Sequence, residues 1–305
     1  MLLIVDENVE NIRLDIYLSE LYDGISRSKI QSAIKSGKVV VNGEIKKPSY
    51  ILRENDKIEF ENLVENQVIK LEPENIPLEI VWEDENMAVV NKPSGMLTHP
   101  TFQETSGTLV NALLYKFGDN LSDVNGEFRR GIVHRLDRNT SGLLMIPKNN
   151  KTHEYLVNLI KNHEIIKKYH AVLVGNYPRE NDVITEPIGR SNTDPKKMKV
   201  RSDGRPSVTK LKVLEHFGSE ATFVELDLIT GRTHQIRVHT SFKHHPVYND
   251  TLYGAPAGKV KTQEQVLQSY YLKFAKPFST EIIEIEIEPD EKLSKVLSYF
   301  RNRRA

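Results

Sequence analysis

The stretch Gly131-Ile-Val-His-Arg-Leu-Asp-Arg-Asn-Thr-Ser-Gly142, followed by Leu143-Leu-Met-Ile146, sets the terms for the rest of the chain. Asn139 to Gly142 are turn formers, and the apolar run after them has the length of a fully buried strand. The loop therefore delivers Asp137, bracketed by Arg135 and Arg138, to the start of that strand. Nearby guanidinium groups lower a carboxylate's pKa and keep it ionised, as a nucleophile or general base must be. The same pattern also describes a structural ion pair tying strand ends together, and local chemistry alone does not separate the two.

Working outward, residues 78–83 and 87–91 read as strands, and a helix spans about 108–117 with Thr105 or Ser106 as its cap. Residues 151–162 read as a helix, and 169–175, 207–215, 221–229 and 282–288 as strands. This alternation predicts an α+β domain on a large mixed, mainly antiparallel sheet with flanking helices, over residues 78–290. From Glu291 a short helix and a basic end form a C-terminal tail, 291–305.

The first 62 residues read as a separate small α+β module. Leu14, Leu18 and Leu21 share one helical face, and Ile30, Ala33 and Ile34 share another, with Ser26 as N-cap and Gly37 as stop. Lys38-Val-Val-Val41 meets the hairpin dipeptide Asn42-Gly43, and 56–60 completes a small sheet. Residues 63–77, with Pro73 and Pro77, read as a linker.

Composition narrows the function. There is no cysteine, which excludes disulfides, thiolate catalysis and cysteine-ligated zinc. No apolar run approaches the roughly 18 residues a membrane span needs. The opening Met1-Leu-Leu-Ile-Val-Asp-Glu7 lacks a signal-peptide pattern, so a cytoplasmic protein is expected. Lys+Arg and Asp+Glu stand equal at 42 each. Charge is unevenly placed, however: six basic residues face one acid between Ile25 and Lys47, and eight face two between Arg190 and Lys212. Such patches suit phosphate contact, since a phosphate senses charge within about 8–10 Å. His234, His239, His244 and His245 cluster without metal-ligand spacing, no nucleotide-binding glycine motif occurs, and no metal or cofactor is expected.

Four motifs then occur in order: 87–100 around Asn91-Lys-Pro-Ser-Gly95, 131–147 around His134-Arg-Leu-Asp137, Lys167-Lys-Tyr-His-Ala-Val-Leu-Val-Gly175, and Thr230-Gly-Arg-Thr-His-Gln-Ile-Arg-Val-His239. They resemble the signatures of the RluA-type pseudouridine synthases, over about 80–288. The first module resembles the alpha-L RNA-binding module through Arg13-Leu-Asp15, Ser26-Arg-Ser28, 37–43 and Asp56-Lys-Ile58. The pairing implies a cofactor-free, monomeric enzyme that turns uridine into pseudouridine, with large-subunit ribosomal RNA or an assembly intermediate as partner. Transfer RNA as substrate, or a non-catalytic ribosome-assembly factor on the same scaffold, are the alternatives.

The resemblance also implies roles for individual residues. Asp137 stands at the essential aspartate, Arg135 at a position holding flipped-out RNA, and Tyr169 at the aromatic that stacks on the target base. Arg237 stands at the partner of the carboxylate, and Leu272 at an apolar wall of the uracil pocket. Residues 91–95 would buttress the loop. Arg27, Lys29, Lys35 and Lys38 of the module, and Lys196, Lys197, Lys199 and Arg201 of an RNA-facing hairpin, would meet phosphates. Three positions depart from the family pattern: Asn249 in place of glycine, the bulky Tyr248, and Gln268-Ser-Tyr270 in place of a histidine-containing stretch.

Overall fold

A computed structural model describes residues 2–5, 12–21, 27–60, 71–101, 104–191, 193–194, 197–262 and 264–303. Ser26 and Lys196, both assigned roles above, lie outside the described residues. The chain forms two compact units, one of Met1–Pro77, Leu97–Val133 and Ile146–His153, the other of Leu78–Met96, His134–Met145 and Glu154–Ala305.

The first unit opens with β1 (Leu2–Ile4), α1 (Leu14–Leu21), α2 (Arg27–Lys35), β2 (Val39–Val41) and β3 (Lys57–Phe60), whose strands pair antiparallel in the order β1–β3–β2. Its core contains Leu14, Leu18, Ile30, Ile34, Val39, Val41 and Ile58, the apolar faces the spacing predicts. Asn42 and Gly43 both take positive φ, 55° and 76°, as a two-residue hairpin turn requires. Asp15, fully buried, accepts from Arg13 and Arg27, each at 3.0 Å at its nearest, and from Gln31 at 2.7 Å. Residues 71–77 are seated rather than free: Leu71 is buried and the Glu74 carboxylate accepts from Gly107 N. The helix α3 (Leu109–Phe117) starts one step later than expected, with Thr108 as its cap and Asn111 closing a capping box.

The second unit is built on a nine-stranded sheet. It contains β4 (Glu79–Glu83), β5 (Met87–Lys92), residues 141–145 of β6 (Ser141–Pro147), β7 (Ile166–Val174) and β8 (Asn181–Ile184). The strands β9 (Ile188–Arg190) and β10 (Met198–Val200) form a separate antiparallel ribbon. Then come β11 (Thr209–Phe217), β12 (Ala221–Leu228), β13 (Leu267–Ala275) and β14 (Ile282–Glu286). Spatial order is β4–β5–β6–β13–β7–β12–β11–β8, with β14 on β13; β6 runs parallel to β13, and β13–β7–β12–β11–β8 are antiparallel. Helices α4 (Asn150–Lys161, from residue 154 on), α5 (Gln235–Phe242) and α6 (Glu291–Asn302) complete the set. The described chain is α+β on a mixed sheet, as the strand pattern predicts.

Two features of this sheet place the functional loop. Gly142 has φ 119°, and a Cβ there would stand 2.1 Å from the Ser269 carbonyl oxygen, so only glycine lets β6 lie against β13. The helix α6 is part of the unit's core rather than a tail: Leu293, Val296, Leu297 and Phe300 pack with Val172, Phe217 and Tyr248.

Candidate active site

Asp137 lies in the loop entering β6, with its side chain 18% exposed. Oδ2 accepts from Nη1 of Arg237 at 3.0 Å. Burial pushes the Asp137 carboxyl up, but neighbouring positive charge from His234, Arg237 and Arg135, with the Arg237 hydrogen bond, outweighs it and holds the group below the ordinary carboxylate range. Burial also lowers the His234 imidazole, against the pull of Asp137. Arg237 is the one of these groups that acts both by charge and by a hydrogen bond to the carboxylate.

The helix α5 explains how Arg237 reaches that position. Gln235 and His239, one turn apart, face β11: Gln235 bonds Val208 and Thr209, and His239 bonds Thr209 and the Glu186 carbonyl. Arg237, two residues from each, points the other way. There it grips Asp250 through Nε at 2.6 Å and Nη2 at 2.9 Å and extends its remaining arm to Asp137. Two carboxylates raise the guanidinium's pKa against the pull of burial, so it stays charged. The Tyr253 ring covers it, 4.9 Å from its centre.

The topology brings Tyr169 to the same place. On β7 it stands opposite Ser269 of β13, which in turn stands opposite Gly142 of β6. The ring is 6% exposed, and burial raises its hydroxyl to about 12, with the Asp137 anion adding to the rise. Leu272 sits farther along β13, fully buried and in register with Lys167 and Ile285. Arg135 is exposed, and its charge contributes least to the lowering of Asp137.

The loop is pinned by groups of which the sequence suggested only some. Lys92, fully buried, donates to the carbonyls of Pro93, Met96 and Arg138. Burial draws its pKa down to about 7 against the pull of Asp137. Lys292 of α6 donates to the Asn139 carbonyl at 2.8 Å, and Ser94 donates to the same oxygen at 2.9 Å. His134 accepts from Met145 N at 2.9 Å, and burial lowers it to about 3, so it is a neutral acceptor that ties the loop to β6. Residues 91–95 were expected to buttress this loop; Lys292 and Asp250 carry no local signal and emerge only from the fold.

The histidine cluster disperses. His239 and His245 bond backbone carbonyls, and only His234 approaches Asp137, at 3.8 Å. Among the described residues no three His, Asp or Glu side chains converge as a metal would require.

The expected phosphate contacts differ in state. Lys29, Lys35, Lys38 and Lys199 are exposed. Lys197 is half-buried, 3.9 Å from Asp194. Arg27 and Arg201, expected as open cations, are engaged within the fold instead. Arg27 pairs with Asp15, and Arg201 pairs with Asp203 and donates to the Arg190 carbonyl. An acid close by in the fold, or two residues away in the chain, captures each guanidinium, so phosphate would have to share it. The departures are accommodated: Asn249 takes φ 63° and fixes its turn through Gly258 N, Val260 O and Thr262, and the Tyr248 hydroxyl accepts from Val260 N.

Comparison with known proteins bears on this geometry directly. Residues 86–242 match the RNA pseudouridylate synthase family, and residues 12–58 match the S4 domain. The chain belongs to the RNA pseudouridylate synthase family. The synthase is 40% identical over 299 residues to an RNA pseudouridine synthase of Aquifex aeolicus, covering 95% of this chain and 94% of the relative. It is 37% identical over 271 residues to ribosomal large subunit pseudouridine synthase D of Escherichia coli O6:H1, covering 88% and 81% respectively. Its fold is similar to that of human RNA pseudouridylate synthase domain containing 1, with TM-score 0.57, 28% identity, and coverage of 78% of this chain and 98% of that one. The enzyme is an isomerase of uridine in RNA, with an S4 RNA-binding domain near its N-terminus. Among the described residues no helix is long and apolar enough to cross a membrane.

Proposed function

We propose that this synthase isomerises uridines of large-subunit ribosomal RNA, with Asp137 as the reacting carboxylate. The observation that carries the chemical part is the Arg237 bond to Asp137 at 3.0 Å, in a site where burial alone would favour the neutral acid. The reaction detaches uracil from C1′ at N1, turns it and rejoins it through C5; the C5 proton is lost and N1 gains one, with no net water or redox change. A carboxylate assists by adding to the sugar, adding to the base, or taking a proton from the sugar. All three routes need it ionised.

A uridine stacked in folded RNA must first be flipped out, at a cost of a few kcal/mol. Stacking on Tyr169, worth about 1–3 kcal/mol per base, and a backbone contact from the exposed Arg135 would offset this. Leu272 would supply an apolar wall. Residues 1–62 would anchor structured RNA through Lys29, Lys35 and Lys38, and the β9–β10 ribbon would contact backbone phosphates through Lys197 and Lys199. Catalysis would reside in 78–290, supported by α6.

The ribosomal assignment draws on the named activity of the Escherichia coli relative, together with the S4 domain. Mapping pseudouridine at single-nucleotide resolution, in cells with and without the protein, tests it. Sites lost only from large-subunit ribosomal RNA are expected. Loss confined to transfer RNA would overturn the substrate, and loss nowhere would favour an assembly factor.

A further inference from the structure

A line of contacts that the chemistry above does not use runs from the β9–β10 ribbon to Asp137. Met198 N–H, on β10, donates to the Tyr253 hydroxyl at 2.9 Å. That hydroxyl lies 2.7 Å from Nδ1 of His234. Nε2 of His234 then stands 3.8 Å from Oδ1 of Asp137.

One arrangement of hydrogens uses every group in this line. The hydroxyl carries one proton, and its bond with Met198 uses it as an acceptor. Among the described residues its other bonded partner is His234 Nδ1, to which the proton is free to donate. A neutral imidazole whose Nδ1 accepts must carry its hydrogen on Nε2, the nitrogen that faces Asp137. Two more features mark the arrangement as built. His234 holds a left-handed backbone, φ 55°, which a non-glycine residue keeps only when its surroundings impose it. The Tyr253 ring also lies over the Arg237 guanidinium. One tyrosine thus touches both neighbours of the carboxylate and the strand that leads to the RNA-facing ribbon.

We propose that Tyr253 is a positioning residue: accepting from β10 and donating to His234, it fixes the Nε2–H tautomer facing Asp137 and makes that setting depend on how the ribbon is seated. When RNA closes the site, the 3.8 Å gap can shorten to a hydrogen bond, as active-site bonds that are long in a free enzyme often do. His234 would then hold the unbound oxygen of Asp137 while Arg237 holds the other. The proposal rests on reading Asp137 as the reacting carboxylate and the ribbon as RNA-facing.

The test uses the full chain with 15N-labelled histidine. In the wild-type protein the His234 ring should show a protonated Nε2 and a bare Nδ1, a measurement that needs neither a variant nor activity. Tyr253→Phe keeps the ring over Arg237 and removes the hydroxyl. It should mix the two tautomers and lower kcat about tenfold, the worth of one hydrogen bond, with KM unchanged. Replacing residues 191–197 by a Gly-Ser turn should also lower kcat, and adding Tyr253→Phe to it should cost less than about threefold more. A wild-type proton on Nδ1, a wild-type kcat in Tyr253→Phe, or fully additive losses would each overturn the proposal. Failure of the Asp137 reading would show separately, as turnover in Asp137→Asn with the tautomer result intact.

Discussion

Replacing Arg237 with methionine removes three charge-assisted hydrogen bonds at once, two to Asp250 and one to Asp137. Asp250 is fully buried, so it would be left as an uncompensated charge. Breaking a buried pair from one side costs about 3–5 kcal/mol. At roughly 2–4 °C per kcal/mol this lowers the melting temperature by roughly 6–20 °C. Catalysis should fail for a different reason. With Arg237 gone, Asp137 loses both a neighbouring charge and a hydrogen bond that hold it down, leaving His234 and Arg135 against burial, and its pKa rises. The acid limb of kcat/KM, which the wild-type enzyme should show below the ordinary carboxylate value near ~4, should move to higher pH. The variant's deficit would then be larger at pH 5 than at pH 7. Adding Asp250→Asn relieves the stranded charge, so the double variant should regain stability without regaining activity. Tritium release from C5-labelled uridine in RNA, followed against pH beside thermal melts, measures both. A stable Arg237→Met enzyme with an unmoved acid limb would refute the reasoning.

Two further outcomes follow from the fold. Asp15 is held at about 2 because hydrogen bonds from Arg13, Gln31 and Arg27 outweigh the burial that would raise it, against an ordinary 3.8. A depressed folded pKa contributes stability that is present above the unfolded value and lost as pH falls through the folded one. Residues 1–62 should therefore lose roughly 1–2 kcal/mol between about pH 4 and pH 2, the half-exposed arginines being screened, as acid titration of their circular dichroism would show. Gly142→Ala should cost about 3 kcal/mol, because its Cβ meets the Ser269 carbonyl at 2.1 Å with φ at 119°; an unchanged urea midpoint would contradict that close approach.

How much of this was legible in the sequence depends on where the polar groups lie. The N-terminal module read well because its apolar spacing is regular and Asn42-Gly43 dictates a turn. Strand β13 was missed, since its start carries Gln268 and Ser269, polar yet buried; Gln268 bonds Glu288 O and Asp290 N across the sheet. Helix α5 was hidden for the same reason, burying Gln235, Arg237, His239 and Thr240 behind hydrogen bonds that local sequence does not reveal. Asp137 and Arg237, 100 residues apart, are joined only by the fold. Without the ordered motifs the pair would have stayed a loop carboxylate and a helical arginine. Tyr253, Asp250 and Lys292 gave no local signal, because each acts through a group distant in sequence.

The central claim is that Asp137 reacts as an anion and does not merely brace the loop. Asp137→Asn changes charge with almost no change in size, and Arg237 keeps its two bonds to Asp250, so the variant should stay folded. Pseudouridine formed by Asp137→Asn on large-subunit ribosomal RNA, measured beside its RNA affinity, is the direct test. The account predicts no product above background with affinity close to wild type. Turnover near the wild-type rate would show that Asp137 is a structural ion pair and that the chemistry lies elsewhere.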